Sequence, residues 1–243
     1  MNILYVLGNG SKWGDNELRY SLRSIAKFGR GVGNVFLCGL KPRFVSDKVR
    51  YCHNDPRLGS ASKNIAANID KAIEVFGDEL GEDFLVSSDD HFYVRETDFE
   101  HYPFYIKGEL PRFDPEKNYA QEKYARTLVD TRIVLERMGR PTRYFAHHAN
   151  YHIIQRVWNK YREERELSRQ MEQGVESNSF MYNLLEGVEF TPRKDCKISY
   201  APTRKDLLEQ IGEREVFSIY DSAIPSVEQY LREMFKTPCI YEK

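Results

Sequence analysis

The chain opens on an apolar run, Asn2–Leu7, that stops at Gly8-Asn9-Gly10, the pattern of a buried strand followed by a tight loop. Residues 17–28 place Leu18, Leu22 and Ile25 at i, i+4 and i+7, which predicts a helix with one buried stripe. Residues 34–38 predict a second short strand, closed by Gly39 and Pro42. Residues 62–76 put Ile65, Ile69, Ala72, Ile73 and Phe76 on one helical face, with Ser62 as N-cap. Residues 84–86 predict a third strand, and it delivers the chain to Ser87-Ser88-Asp89-Asp90-His91. Strand–helix–strand–helix–strand with short links predicts an α/β fold around a mainly parallel sheet with right-handed crossovers. Ligands of such sheets sit beyond the carboxyl ends of the strands. Gly8-Asn9-Gly10 and Asp89-Asp90 both fall at such ends.

The second half is more helical and less regular. Residues 121–138 carry Tyr124, Leu128, Thr131, Leu135 and Met138 at helical spacing, and Gly139 and Pro141 stop the run. Residues 151–171 predict one long, heavily charged, partly exposed helix whose apolar positions are Ile153, Ile154, Val157, Trp158 and Tyr161. Val216–Ile219 predicts a strand leading to Asp221, and Ser226 with Gln229 reads as a capping box opening a helix through Phe235. There is no repeat, low-complexity segment or linker. The expectation is a single domain, 1–243, with a nucleotide-binding half over about 1–100 and an acceptor-side half over about 101–243. A second domain would have to begin near 102–114.

Composition sharpens this. At 243 residues, against roughly 150 per domain, the chain is one large domain or a core with an added lobe. An apolar content of 41% supplies a real core and argues against wholesale disorder. A formal net charge of −1 excludes a globally basic nucleic-acid binder. Local basic patches remain: Arg193, Lys194, Lys197, Arg204 and Lys205 stand against Asp195 alone in 191–205, and 112–143 leans the same way. A phosphate contact and a solvated loop are both open readings of these patches. No apolar run approaches the ~20 residues that span a bilayer. The N-terminus has no basic n-region, and Cys38, Cys52, Cys196 and Cys239 form no CxxC, so a cytoplasmic protein with reduced thiols is expected.

Two adjacent carboxylates after a buried strand are costly to hold together unless a cation or donors neutralise them. Asp89 and Asp90, with His91 beside them, offer hard oxygens and one imidazole, suited to Mn²⁺ or Mg²⁺ holding a diphosphate. Capping of the following turn is the structural alternative. His147, His148 and His152 cluster before the charged segment, and His148 and His152 share a face if that helix starts early, so either could complete the metal site or serve the core. Arg19 and Arg23 lie i, i+4 off the apolar stripe of the first helix, placed to clamp a pyrophosphate or to pair with Glu17 or Asp15. Gly8, Asn9, Gly10 and Ser11 let backbone N–H groups approach a nucleotide, although they form neither GxGxxG nor a P-loop. Asp221, at a strand end, suits a base or an acceptor-hydroxyl contact as well as a turn carboxylate.

The block Ile3 to Ser11 (ILYVLGNGS), followed by Asp15-Asn-Glu-Leu-Arg-Tyr-Ser-Leu-Arg-Ser-Ile25, resembles the opening of the Stealth-type sugar-phosphate transferases, themselves similar to GT-A-like nucleotide-sugar glycosyltransferases. Ser62-Lys63-Asn64-Ile65, Phe84 to His91, His147-His148, Phe217 to Asp221 and the tail from Tyr230 to Glu242 continue it in order. Asn9 stands where that family's Thr-Trp-Val-Asp opening carries an acid. The resemblance implies a Rossmann-like GT-A-type fold. Asp89 and Asp90 would stand at the metal and diphosphate, Arg19 and Arg23 beside the nucleotide, and Asn16, Lys63 and Asn64 among the donor contacts. The compact length and the Gly-Asn-Gly-Ser form also resemble small phage-encoded glycosyltransferases, which adds a hydroxymethylated DNA base to glycans as an acceptor class. The expected function is therefore a metal-dependent transferase moving a sugar from a nucleotide-sugar, UDP-linked in this reading, to a hydroxyl. Its rivals are sugar-1-phosphate transfer and a non-catalytic nucleotide- or DNA-binding module.

Overall fold

The computed structural model describes residues 1–145 and 150–243. In chain order its main elements are β1 (Asn2–Leu7), α1 (Asn16–Phe28), β2 (Val35–Gly39), β3 (Arg50–His53), α2 (Ala61–Phe76), β4 (Asp83–Ser87) and β5 (His91–Tyr93). There follow α3 (Lys123–Arg137), β6 (Tyr151–Ile154), α4 (Gln155–Lys160), α5 (Arg162–Ser168), α6 (Ser177–Asn183), β7 (Cys196–Ile198), α7 (Arg204–Ile211), β8 (Val216–Ile219) and α8 (Ile224–Met234). The central sheet has the order β6-β4-β1-β2-β3, parallel throughout except for antiparallel β6. A small sheet, β7-β8-β5, stands beside it with β7 and β8 parallel and β5 antiparallel.

Strand alternation sorts the core into two layers. Ile3, Tyr5 and Leu7 of β1 face the stripe of α1, where Leu18, Leu22 and Ile25 are buried. Leu4, on the opposite face, joins Ile69 and Ala72 of α2 together with Phe36, Phe84 and Val86. The reverse side of α1 is also covered, because Tyr20 packs with Phe92 and Phe217 of the small sheet. This helix, wedged between two sheets, locks the small sheet to the central one. β1 and β2 approach so closely at their ends that a Cβ on Gly39, at φ +133, would lie 1.9 Å from the Leu7 carbonyl oxygen. Gly39→Ala is expected to destabilise the protein by more than about 3 kcal/mol, read by denaturant titration, since clash and left-handed backbone act together.

Several expectations change. Ser60, not Ser62, caps α2, its side chain accepting from Lys63 N–H. β3 was not foreseen, because Arg-Tyr-Cys-His is short and half polar; it is an edge strand and needs only one apolar side. The expected long helix over 151–171 is a strand and two short helices. Tyr151, His152 and Ile153 pair with Val86, Leu85 and Phe84 on β4, and tertiary pairing overrides the charged helical pattern that follows. Beyond it, the Arg165 guanidinium lies 3.9 Å from the Trp158 ring centroid and 2.6 Å from Asp70, so the charged segment anchors to α2 rather than protruding. No Ser226 capping box forms: α8 begins at Ile224 with Pro225 in its first turn, and the Ser226 hydroxyl donates to the Ala223 carbonyl. Among the described residues, no helix is long and apolar enough to cross a membrane, and all four cysteines are free.

Candidate functional site

A pocket of about 800 Å³ opens at the carboxyl ends of β1 and β4. Gly8, Asn9, Gly10 and Ser11 form one wall; Asp89 and Asp90 lie on its floor, and Ile219 and Asp221 at the end of β8 close the far side. A Cβ on Gly8 or Gly10 would meet nothing within 4 Å, so the glycine loop borders open space rather than packed protein. Ser11 holds that loop: its hydroxyl donates to Glu17 (2.8 Å) and accepts from the N–H groups of Trp13 and Asp15. The third wall comes from residues that follow β3 and open α2, including Asn54, Asp55, Arg57 and Asn64. Asn54 donates to Asn68 (2.9 Å), and Asn64 accepts the Leu58 N–H, which ties the wall to α2. Asn54, Asp55 and Arg57 were not foreseen from the sequence, and Glu17, expected as a partner for Arg19 or Arg23, instead accepts from Ser11. The turn signal Asn-Asp-Pro after an edge strand was the available clue.

The floor is electrostatically loaded. Burial pushes the Asp89 carboxyl up to about 7, reinforced by the charges of Asp90 and then Glu17. Among the described residues the cation beside Asp90 is Lys197, Nζ at 3.5 Å, which also lies over the Tyr220 ring. His91 lies beneath this floor on β5, 1% exposed, with Nδ1 3.7 Å from Asp90. Burial lowers its pKa and keeps the ring neutral. Among the described residues no three His, Cys, Asp or Glu side chains converge as a ready-made metal cluster. Paired hard-oxygen carboxylates short of positive charge nevertheless fit a divalent cation that takes its remaining ligands from a diphosphate and water.

The other expected site residues divide. Asp221 reaches the pocket rim and pairs with Lys12 at 2.9 Å, both well exposed. His152 does not join the carboxylates. On β6 its Nδ1 meets Asp83 at 2.9 Å, its Nε2 meets the Tyr102 carbonyl at 2.8 Å, and its ring stacks on Phe104, so both nitrogens serve the core. His147 and His148 lie outside the described residues. Arg19 and Arg23 share a helical face as their spacing requires, but that face turns to the C-terminal tail. Arg23 grips Glu242 with Nε (2.6 Å) and Nη2 (2.8 Å) and donates Nη1 to the Phe235 carbonyl. Arg19 lies 3.5 Å from the same carboxylate, over the Phe44 ring, and its Nη1 donates to Asn16. These three residues line a different depression, with Arg232 and Phe235, away from the carboxylate floor. Lys63 also faces elsewhere, against Gly174. Because the Arg23–Glu242 pair is largely buried, Arg23→Gln is expected to cost about 3 kcal/mol in thermal unfolding while leaving nucleotide affinity within twofold.

No protein-family model matches the chain, and no curated protein matches it by sequence, so the Stealth-type resemblance has no support from either. Solved structures do match in fold. The chain is similar to an active-site mutant, Q189E, of LgtC at TM-score 0.51 and 10% identity, covering 96% of this chain and 95% of that one. It is also similar to the galactosyltransferase LgtC in complex with donor and acceptor sugar analogues, at TM-score 0.52 and 10% identity, over 98% and 96% of the two chains. The mixed α/β architecture with a mainly parallel central sheet is thus a GT-A-type fold along nearly its whole length.

Proposed function

We propose that the protein is a glycosyltransferase that takes a sugar from a nucleotide-sugar, uridine-linked in this reading, and passes it to an acceptor hydroxyl with the help of Mn²⁺ or Mg²⁺. The observation that carries this is the position of Asp89 and Asp90: two carboxylates, one with its pKa raised toward neutrality, on the floor of a roomy pocket at the strand ends. A GT-A-type fold with that arrangement favours a donor lying across the glycine loop.

In this reading Asp89 and Asp90 would hold the divalent ion, which would supply positive charge to offset the charge of the departing diphosphate. The open loop Gly8–Ser11 offers backbone N–H groups, and Asn64 and Asn54 offer amides, to the nucleotide. Asp221, across the pocket, accepts the hydrogen bond of the acceptor hydroxyl and takes up its proton as that oxygen attacks the anomeric carbon. Arg19, Arg23, Lys63 and His152 have no part in it, since their side chains are committed elsewhere.

The test is a donor screen with Mn²⁺, scored by release of nucleotide diphosphate, with free water, oligosaccharides or hydroxymethylated DNA as acceptors. Release from at least one donor, abolished by chelation, is expected. A donor labelled at the β-phosphate separates the rival chemistry: label retained in the released nucleotide means glycosyl transfer, and label in the acceptor product means sugar-1-phosphate transfer. No release with any donor leaves a nucleotide-binding module.

A further inference from the structure

Strand pairing beside the carboxylate pocket gathers positive charge. Tyr105–Ile106 pairs with Thr191–Pro192, and Gly108–Glu109 pairs with Arg143–Tyr144, so Lys107 is held between two short ladders. Arg193 comes next to it, because the Arg193 N–H donates to the Ile106 carbonyl. Lys107, Arg193 and Lys197 line a groove of about 530 Å³ together with Ile106, Asp195 and Tyr220. One end of this groove meets the pocket. Lys197 Nζ lies 3.5 Å from Asp90 on the floor, and half-exposed Tyr220 stands in the chain between Ile219 and Asp221, which close the far side. Lys107 is exposed, its ammonium 4.9 Å from the Tyr144 ring centroid, and Lys197 Nζ is 4.4 Å from the Tyr220 centroid. Burial first, then the Arg193 charge, lowers the Lys107 pKa, while Asp195, itself paired with Arg193, opposes that shift.

The basic stretch 191–205 divides in the structure. Arg204 and Lys205, with side chains 60% and 84% exposed, pair with Glu233 and Glu209 on the surface of α7 and α8. Arg193 and Lys197, 13% and 16% exposed, are instead built into the groove wall, so a solvated loop does not account for them. Within the groove three cations face Asp195, and counting Asp90 on the adjoining floor still leaves an excess of positive charge. Crowded cations favour an anion that shares them, and ammonium and guanidinium groups donate best to phosphate or carboxylate oxygens. The Tyr220 ring beside them offers a face to the C–H groups of a sugar. A nucleic-acid strand is gripped by cations repeated along its length. Here the charge is local: in 112–143, Arg126, Arg132 and Arg140 are spent on Asp130, Glu136 and Glu186. We propose that this groove seats the acceptor, and that the acceptor is a saccharide carrying a phosphate or carboxylate group held by Lys107 and Arg193. Its role as acceptor rests on the glycosyl-transfer reading above; its affinity for an anionic sugar does not.

NMR titration of the full chain with glucose 6-phosphate, glucuronate and glucose tests this without turnover, and the two charged sugars separate phosphate from carboxylate recognition. At least one of them is expected to bind at least about tenfold more tightly than glucose. Lys107→Glu is expected to remove that advantage and Lys107→Gln to reduce it severalfold, whereas Lys48→Glu, at an exposed lysine outside the groove and the pocket, leaves it intact. Lys107 is itself exposed, so both of its variants keep the fold. Charged sugars that bind no better than glucose, wild-type binding in Lys107→Glu, or displacement of the sugar by uridine diphosphate would overturn the proposal. So would a short single-stranded oligodeoxynucleotide that outcompetes both sugars and depends on Lys107, since the groove would then serve nucleic acid. Titration of uridine diphosphate with Mg²⁺ into the same samples keeps the two readings apart. If it binds and neither charged sugar does, only the groove proposal falls; if the sugars bind through Lys107 and it does not, the groove stands and the donor pocket falls.

Discussion

Asp90→Ala is expected to lower nucleotide release by at least about a thousandfold, roughly 4 kcal/mol of transition-state stabilisation, with little loss of fold. Asp90 is partly exposed on a pocket floor, and the Lys197 ammonium 3.5 Å away is also partly exposed and rests over the Tyr220 ring, so deleting the carboxylate does not strand a fully buried charge. The same variant is expected to lose Mn²⁺ binding by isothermal titration. Turnover within tenfold of wild type, in protein whose thermal unfolding is unchanged, would remove the carboxylate pair from the reaction. Asp90→Asn sharpens the reading: the amide keeps shape and one oxygen but lacks the charge, so it is expected to be nearly as inactive as alanine.

The second large effect concerns Asp89 and pH. Its carboxyl is raised to about 7 in the folded chain against 3.8 in an ordinary setting. Between those values the folded state holds a proton that the unfolded state has released. Stability therefore falls as pH rises from about 4 to 7, and the penalty stays in full above 7. Asp89→Asn is expected to be more stable than wild type by about 1–2 kcal/mol at pH 8, a figure reduced for the residue's partial exposure, and no more stable at pH 4. Mn²⁺ is expected to stabilise wild type at pH 8 and to lose that effect below pH 6, because protonation removes a ligand charge. Urea denaturation at the two pH values, with and without metal, reads all of this. A variant equally stable at pH 4 and pH 8 relative to wild type would mean that burial and the neighbouring carboxylates do not raise the Asp89 pKa.

How far the site was legible depended on the range of the contacts involved. Gly8-Asn9-Gly10 and Asp89-Asp90 could be located because each directly follows a buried strand, and a parallel sheet brings all such ends to one edge. Arg19 and Arg23 were placed correctly on a shared helical face and assigned the wrong neighbour. Their carboxylate partner, Glu242, is 219 residues from Arg23, and no local pattern announces it. His152 was misread for a related reason. A charged helical pattern after residue 154 concealed that Tyr151–Ile154 completes the central sheet, where both imidazole nitrogens find partners. The Asn54–Arg57 wall was missed with its strand, since four half-polar residues on a sheet edge carry little periodicity.

The order of chain elements, the apolar faces of α1 and α2, and the strand ends that carry carboxylates were determined by the amino-acid sequence alone, because local periodicity is set by which side chains must leave water. The tertiary structure decided which polar groups remain available. It sealed His91 under the floor, gave Arg23 to the tail and put Lys197 beside Asp90. A side chain's hydrogen-bond partners come from segments distant in sequence, and only packing brings those segments within 3 Å.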